Sequence, residues 1–305
     1  MKGAICMRKW LSSIICSCFV LTGCSVTIDP AAEDLNLTYY PETFNEWQQL
    51  QQQQEREKAQ KEQEAEMVDE PKEGEELLYV ALGDSLTRGI GDKEKRYGWT
   101  GRLADEMEKW PSVAHVELDN RGKNGRRSDQ LLKLLKKGHY DEQLVEADLL
   151  SISIGGNDVM KVIKKDLFQL STTTPLEKEL EKYRERYRDI VAYIRALNPD
   201  APLIILGFYN PFTLITDEEN DFNGIMDRFN AVMEAQAIED VNACFVPVDD
   251  LFLTNDDLVY HTDYFHPNAQ GYDNMTNRAI VSLQQCNIEA MSNGQIGFEE
   301  VMQSE

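Results

Sequence analysis

Five short apolar runs alternate with stretches of helical periodicity across residues 77–285, and this alternation constrains the fold more strongly than any other feature. The runs are predicted strands, at residues 77–82, 113–118, 147–154, 203–207 and 244–248. Strands that alternate with helices are joined by right-handed crossovers, which produce a parallel sheet covered by helices on both faces. We therefore predict one three-layer α/β/α domain with its ligand site at the carboxyl ends of the strands.

The helices between the strands are predicted from the spacing of their apolar residues. From Pro175 to Leu197, apolar side chains recur at steps of three and four, while Glu, Lys and Arg fill the opposite face. Asn198-Pro199 ends this helix, because proline cannot continue it. Further helices are predicted at residues 99–110, 128–137, 224–238 and 268–285.

The first 24 residues have the pattern of a bacterial export signal. A basic start is followed by an apolar segment, residues 10–20, which is too short to span a bilayer. It ends in Leu21-Thr22-Gly23-Cys24, which resembles the lipobox of bacterial lipoproteins. In that family the peptide is cut before the cysteine, whose thiol then receives a diacylglyceryl group. We expect residues 1–23 to be removed and Cys24 to anchor the protein to the extracytoplasmic face of the cell membrane; the alternative is an ordinary signal peptide.

Residues 24–76 contain 15 Asp and Glu, 4 Lys and Arg, and a run of glutamines. After Gln48 this segment has almost no aliphatic side chains, so it cannot bury enough surface to offset the entropy of ordering. We interpret it as a solvated tether, partly helical between residues 46 and 66. The whole chain has a net charge of −23, which argues against nucleic-acid binding and against adsorption to an anionic membrane through a basic surface.

The six cysteines do not form a disulfide framework of the kind found in small secreted domains. Three lie in the export signal and a fourth is Cys24, which leaves Cys244 and Cys286 in the folded part. Cys244 lies in an apolar run, which favours a buried thiol, and a disulfide between the two cysteines remains open. No pair of cysteines has the spacing of a zinc site.

Polar segments follow the predicted strands, at the edge of the sheet where a ligand site is expected. They are Gly83-Asp84-Ser85-Leu86, residues 122–125, Gly155-Gly156-Asn157-Asp158 and Asp263-Tyr264-Phe265-His266-Pro267. A serine at a strand-to-helix turn presents its hydroxyl at this edge, and the helix N-terminus favours negative charge that develops nearby. The glycines of the second segment permit a backbone N–H to approach a ligand closely.

In this order, the four segments resemble the motif blocks of the GDSL, or SGNH, hydrolase family, and the resemblance covers residues 77–285. It implies a flavodoxin-like, five-stranded parallel sheet with strand order 2-1-3-4-5. It also implies serine-hydrolase chemistry without a metal or other cofactor. The domain is assigned to residues 77–288, followed by a C-terminal tail at residues 289–305.

The resemblance also assigns the site residues. Ser85 is the expected nucleophile, His266 the base that takes its proton, and Asp263 the carboxylate that holds the His266 ring. The oxyanion formed on attack is expected to be met by the backbone N–H groups of Ser85 and Gly125 and by the side-chain amide of Asn157.

Two features around this site leave alternatives open. Gly122 competes with Gly125 as the oxyanion donor, and Gly125 is preferred because the family places this glycine about five residues after an asparagine such as Asn120. Basic side chains surround this glycine in an otherwise acidic chain, and they either bind an anionic part of the substrate or form a solvated turn: Lys123, Arg126 and Arg127.

The expected function is a lipid-anchored, monomeric serine esterase or acylhydrolase that cleaves carboxylic esters through an acyl-enzyme. Its substrate is a lipid, a thioester or an acylated glycan, and the alternatives are a deacetylase of cell-wall or exported polysaccharide and a non-catalytic glycan- or partner-binding lipoprotein. Apolar residues in segments 159–174 and 208–222 are expected to wall the acyl site, which favours an acyl chain longer than acetyl; they include Leu167, Phe168, Phe208, Phe212, Leu214 and Ile215.

Overall fold

The computed structural model describes residues 74–166, 174–210, 221–252 and 259–298. The predicted export signal, Cys24 and the tether up to residue 73 lie outside the described residues. Within the described ranges, no helix has both the length and the apolar character needed to cross a membrane.

The sheet has five parallel strands, and its order is β2-β1-β3-β4-β5, as the family resemblance implies. The strands are β1 (Glu75–Gly83), β2 (Val113–Gly122), β3 (Leu149–Ser153), β4 (Leu203–Leu206) and β5 (Ala243–Val246). The α/β prediction is therefore confirmed. Strand β2 continues to Gly122, beyond the apolar run that predicted it, because its last residues pair with the end of β1.

Helices cover both faces of the sheet, and each predicted helix is present with slightly different ends. The helices are α1 (Ser85–Arg88), α2 (Gly98–Met107), α3 (Ser128–Leu135), α4 (Asp141–Glu146), α5 (Gly156–Asp166), α6 (Thr174–Leu197), α7 (Asp221–Glu239), α8 (Ala269–Gln285) and α9 (Ile288–Met291). A helix after the turn at Ser85 was predicted, and α1 is that helix. Helices α4 and α9 were not predicted, because four to six residues are too few to show a helical period. Helix α5 was not predicted either, because it begins within a glycine-rich turn.

Two apolar clusters form the core, one on each face of the sheet. Val80 and Leu82 of β1 join one cluster with α3, α6 and α7, whereas Tyr79 and Ala81 join the other with α2 and α8. The stripe that predicted α6 is buried in the first cluster. Because both faces of the strands are buried, the strands read as continuous apolar runs instead of alternating patterns.

Cys244 and Cys286 form a disulfide, so the expectation of a buried free thiol at Cys244 is wrong. Helix α8 packs along β5 and places Cys286, its C-terminal cap, at a Cα–Cα distance of 5.8 Å from Cys244. This separation is typical of a disulfide, and it arises from the packing of elements that are 42 residues apart in sequence.

Residues 289–298, which the sequence analysis assigned to a C-terminal tail, pack against the domain. Ile296 is buried, and the Phe298 ring lies 4.1 Å from the Trp110 ring, measured between centroids. The Ser112 hydroxyl accepts a hydrogen bond from the Gly297 N–H at 2.7 Å and donates one to the Gly297 carbonyl at 3.1 Å. The folded unit therefore extends past residue 288.

A buried guanidinium ties the loop that follows α1 to helix α8. Arg102 of α2 donates to both carboxylate oxygens of Asp92, at 2.6 and 3.1 Å, and to Asp273 of α8 at 2.6 Å. Its remaining N–H groups bond to Glu94 and to the Gly98 carbonyl. The side chains of Arg102 and Asp92 are 2% and 0% exposed, so all five donors of this cation are satisfied inside the protein.

Replacement of Arg102 by methionine is expected to lower the free energy of unfolding by about 3–5 kcal/mol, because the Asp92 carboxylate would remain buried without its partner. The matched control is Arg96→Met, which removes a surface pair with Asp105 and is expected to cost less than about 1 kcal/mol. Urea denaturation of the wild type and both variants measures the difference. Equal losses of unfolding free energy in the two variants would contradict the prediction that the buried Arg102–Asp92 pair matters more than the surface pair.

Candidate active site

Ser85 is the first residue of α1, directly after the end of β1. Asp84 caps this helix, since its Oδ1 accepts the N–H of Leu86 at 3.0 Å. Gly83 precedes it, and a Cβ at this position would overlap the Thr87 hydroxyl and the Ser153 carbonyl. The tight turn therefore requires glycine, and it places the nearly buried Ser85 at the carboxyl edge of the sheet.

Asp263 and His266 form a hydrogen-bonded pair on the loop before α8. Asp263 Oδ2 lies 2.6 Å from His266 Nδ1, and Asp263 Oδ1 accepts the backbone N–H groups of Phe265 and His266 at 3.0 Å each. Partial burial raises the pKa of Asp263, but the hydrogen bonds from the His266 ring and from these two backbone N–H groups outweigh it and lower the pKa overall. An ionised Asp263 therefore orients the ring, with Nε2 left for the substrate side.

The loop that carries His266 packs beside the loop that follows Ser85. A Cβ on Gly91 would lie 3.2 Å from His266 Cβ and would overlap the Pro267 carbonyl. Ser85 and Phe265 line one cavity. Among the described residues, no hydrogen bond joins Ser85 Oγ to His266, and such bonds are often long in free enzymes.

The geometry distinguishes the two candidate oxyanion glycines. Gly125 is exposed with a φ of +74°, and nothing lies within 4 Å of a Cβ placed on it. Gly122 is buried, its N–H donates to the Asn120 side chain at 3.0 Å, and a Cβ on it would overlap the backbone N of Arg88. Gly125 is therefore the glycine with space for a substrate beside it.

The amide of Asn157 joins the three turns of the site. Its Nδ2 donates to Asp84 Oδ2 at 3.2 Å and to the Arg126 carbonyl at 3.1 Å. Both amide hydrogens are therefore used in the free protein, and the amide could donate to a further acceptor only if one of these bonds broke. In the free protein the two bonds hold Asn157 beside Ser85, on the wall of the same cavity.

A buried network supports this arrangement from behind. The Asp158 carboxylate accepts the N–H of Ser128 at 2.9 Å, the Ser128 hydroxyl at 2.6 Å and Arg186 Nη2 at 3.0 Å. It joins the turn that contains Gly125 to the start of α5. The sequence analysis did not single out Ser128 or Arg186, because Arg186 belongs to the charged face of α6 and nothing local marks it.

The basic residues around Gly125 have different environments. Arg126 is buried and donates to the carbonyls of Gly83 and Arg121 and to the Tyr140 hydroxyl. Arg127 pairs with Asp129. Lys123 is exposed, and no carboxylate among the described residues lies within ion-pair distance of it. Of the basic residues noted in the sequence, Lys123 is therefore the one available to a ligand.

An apolar cavity lies beside Ser85, on the β3 and β4 side of β1. It encloses about 560 Å³ of empty space, including its opening to solvent. Its described apolar and aromatic lining comes from α1, from the ends of β3 and β4, from α5 and α7, and from the loop before α8: Leu86, Ile154, Val159, Met160, Leu206, Phe208, Tyr209, Met226 and Phe265. Phe208 was predicted from sequence, whereas the predicted lining residues Leu167, Phe168, Phe212, Leu214 and Ile215 lie outside the described residues.

The chain belongs to the GDSL-like lipase/acylhydrolase family, whose sequence profile matches residues 81–273, and it is an ester-cleaving hydrolase of this family. It is 35% identical over 217 residues to the uncharacterized protein YpmR of Bacillus subtilis, covering 70% of this chain and 84% of YpmR. It is 25% identical over 210 residues to the spore germination lipase LipC of Bacillus licheniformis, covering 66% and 94% of the two chains.

Solved structures share the fold at lower identity. The lipase Lip_vut3 from a goat rumen metagenome superposes with a TM-score of 0.60 and 22% identity, covering 68% of this chain and 97% of the lipase. An acetyl xylan esterase, Axe2 of Geobacillus stearothermophilus, superposes with a TM-score of 0.52 and 21% identity, covering 75% and 99%. These similarities concern the fold, which is the SGNH hydrolase fold.

The environment of the site changes the pKa of Asp84 strongly. Burial raises its pKa to about 7, and the charge of Asp158 adds to the rise, against the opposing hydrogen bonds from Leu86 and Asn157 and the charge of Arg126. In an unfolded chain the pKa of an aspartate is about 3.9. The folded protein therefore holds a proton on Asp84 over a range of pH in which the unfolded chain has released it.

This difference predicts how stability depends on pH. The contribution of Asp84 is fully present below about pH 4 and is lost as the pH rises through about 7, because the unfolded chain then binds fewer protons than the folded one. Asp84→Asn keeps the helix cap but has no proton to lose. The wild type should therefore lose stability relative to this variant between about pH 4 and pH 7, as measured by urea denaturation at several pH values. If the difference in unfolding free energy between the two proteins stays constant across that range, the raised pKa of Asp84 is refuted.

Proposed function

We propose that this protein is a lipid-anchored, extracytoplasmic serine esterase that removes acyl chains longer than acetyl from carboxylic esters. The observation that carries the proposal is the position of Ser85, beside the apolar cavity and next to the loop that holds the Asp263–His266 pair. The membership of the chain in an ester-cleaving family supports it.

The proposed reaction proceeds through an acyl-enzyme. His266 Nε2 removes the Ser85 proton as Oγ attacks the ester carbonyl, and Asp263 stabilises the imidazolium that forms. The backbone N–H groups of Ser85 and Gly125 and the Asn157 amide donate to the oxyanion. The carbon–oxygen bond to the alcohol then breaks, and His266 returns the proton to the departing alcohol. Water, activated by the same imidazole, releases the acid and regenerates Ser85.

The character of the cavity supports a substrate with a longer acyl chain. Its described lining is mainly aliphatic and aromatic, with methionine side chains from both α5 and α7. Each methylene transferred from water to such a surface contributes up to about 0.8 kcal/mol. A mostly apolar wall favours an alkyl chain over an acetyl group, so a deacetylase of polysaccharides is the less favoured alternative.

The test uses p-nitrophenyl esters from acetate to decanoate. Ser85→Ala should reduce kcat/KM at least about 10³-fold, as loss of a serine nucleophile does elsewhere. The matched control is Ser153→Ala, the same change on the wall of the same cavity, which should stay within about tenfold of the wild type.

Chain length is measured in the same assay. The wild type should prefer hexanoate or octanoate to acetate, because the added methylenes bury in the apolar cavity. A preference for acetate would support the deacetylase instead. Equal activity in Ser85→Ala and wild type would refute the serine mechanism, and failure of the pure wild type to react with a fluorophosphonate would favour a non-catalytic binding protein.

The proposed location rests on the sequence of the N-terminus. The basic start, the apolar segment and the box that ends at Cys24 support export and lipid attachment. The acidic, glutamine-rich segment that follows would then hold the hydrolase away from the membrane surface.

Lipid attachment is tested by expressing the full chain in a bacterial host grown with labelled palmitate. The label should enter the wild type and be lost in Cys24→Ser, because a thiol is required for diacylglyceryl transfer. Cys18→Ser is the matched control, since it changes a neighbouring cysteine that the cut would remove, and it should keep the label. Label that persists in Cys24→Ser, or is absent from the wild type, would contradict the anchor.

A further inference from the structure

We propose that Arg88 and Lys123 form a phosphate-binding subsite for the alcohol part of the substrate, on the side of Ser85 away from the apolar cavity. The proposal rests on the proposed function and narrows its substrate class. The substrate would be a carboxylic ester with an apolar acyl chain on one side of the scissile bond and a phosphate-bearing alcohol on the other.

Arg88 and Lys123 belong to neighbouring segments of main chain beside the nucleophile. Arg88 ends α1, three residues after Ser85, and Lys123 lies two residues before Gly125. The N–H of Lys123 donates to the Gly83 carbonyl at 3.1 Å, which ties it to the end of β1. Gly122 packs so closely that a Cβ on it would overlap the backbone N of Arg88. The two cations are thus attached to contacting segments.

Both side chains are exposed and available to a ligand. No carboxylate among the described residues lies within 4 Å of either cation, whereas the nearby Arg96, Arg121 and Arg127 are each paired with an aspartate. Residues 77–305 contain 39 acidic and 24 basic side chains, so surface carboxylates are plentiful. Two cations without such partners, on contacting segments next to the turn that holds Ser85, produce a local positive field that attracts an anion.

Arg88 and Lys123 lie on the β2 side of β1, whereas the apolar cavity extends toward β3 and β4. The described lining of the apolar cavity includes Ser85 and Leu86 of α1 but neither Arg88 nor Lys123, which lie where β1 ends beside β2. An ester alcohol that extends from Ser85 toward β2 would meet the two cations. A guanidinium offers paired donors that match phosphate oxygens, and an ammonium adds a point charge.

The experiment compares two water-soluble substrates that share a hexanoyl chain, 1-hexanoylglycerol and 1-hexanoylglycerol 3-phosphate. The wild type should prefer the phosphate ester in kcat/KM by about tenfold or more, since a charge-assisted hydrogen bond contributes about 1.5–3 kcal/mol. The double variant Arg88→Gln/Lys123→Gln should lose this preference, mainly through a higher KM for the phosphate ester. Added salt should weaken the preference of the wild type.

The matched control is Lys133→Gln/Lys137→Gln, which removes the same charge from exposed positions in and just after α3 and should keep the preference. The proposal is overturned if the wild type does not discriminate, or if both double variants lose discrimination equally. It is also overturned if discrimination arises only on anionic vesicles, which would indicate a membrane-binding surface. Failure of the proposed function is distinguishable, because Ser85-dependent cleavage of the neutral ester would then be absent as well.

Discussion

The structure of the site depends on hydrogen bonds that hold the carboxyl end of β1 to both of its neighbours. The Gly83 carbonyl accepts the N–H of Lys123 at 3.1 Å, from the turn after β2, and Nη1 of Arg126 at 3.2 Å. On the other side, the Asp84 N–H donates to the Ser153 carbonyl at 3.0 Å, at the end of β3. Because of these bonds, the three turns that contain Ser85 and its proposed oxyanion donors lie in a fixed register before any substrate binds.

Buried acids add a second constraint, since each carboxylate withdrawn from water must be hydrogen-bonded or protonated. Asp84 meets this requirement by a raised pKa and by accepting the Asn157 amide. Asp158 has three donors from Ser128 and Arg186. Such an arrangement is costly to rearrange, because a broken bond would leave a buried polar group without a partner. The turn that contains Gly125 is thereby preorganised. Electrostatic stabilisation of a transition state requires donors that are preorganised in this way.

The architecture could be predicted from sequence because buried parallel strands read as apolar runs and because the motif segments follow those strands in order. The candidate site residues were predicted in the same way, since each belongs to a local motif. The Cys244–Cys286 bond and the Arg102 cluster could not be predicted. Both depend on how α8 packs against elements far away in the chain. The sequence around a cysteine or an arginine does not indicate whether a distant residue will bond to it. The length of α1 could not be predicted, because its single turn is defined by its cap and not by a period.

The sheet order also separates the parts that perform the chemistry from the parts that select the substrate. The proposed nucleophile and oxyanion donors come from the three turns after β1, β2 and β3, which hydrogen bonds hold together. The wall of the apolar cavity also includes the end of β4 and Met226 of α7, which do not belong to the three hydrogen-bonded turns. The exposed side chains of Arg88 and Lys123 likewise extend from the fixed turns without supporting them. Substrate preference on either side of Ser85 can therefore change through side chains that the proposed catalytic geometry does not use.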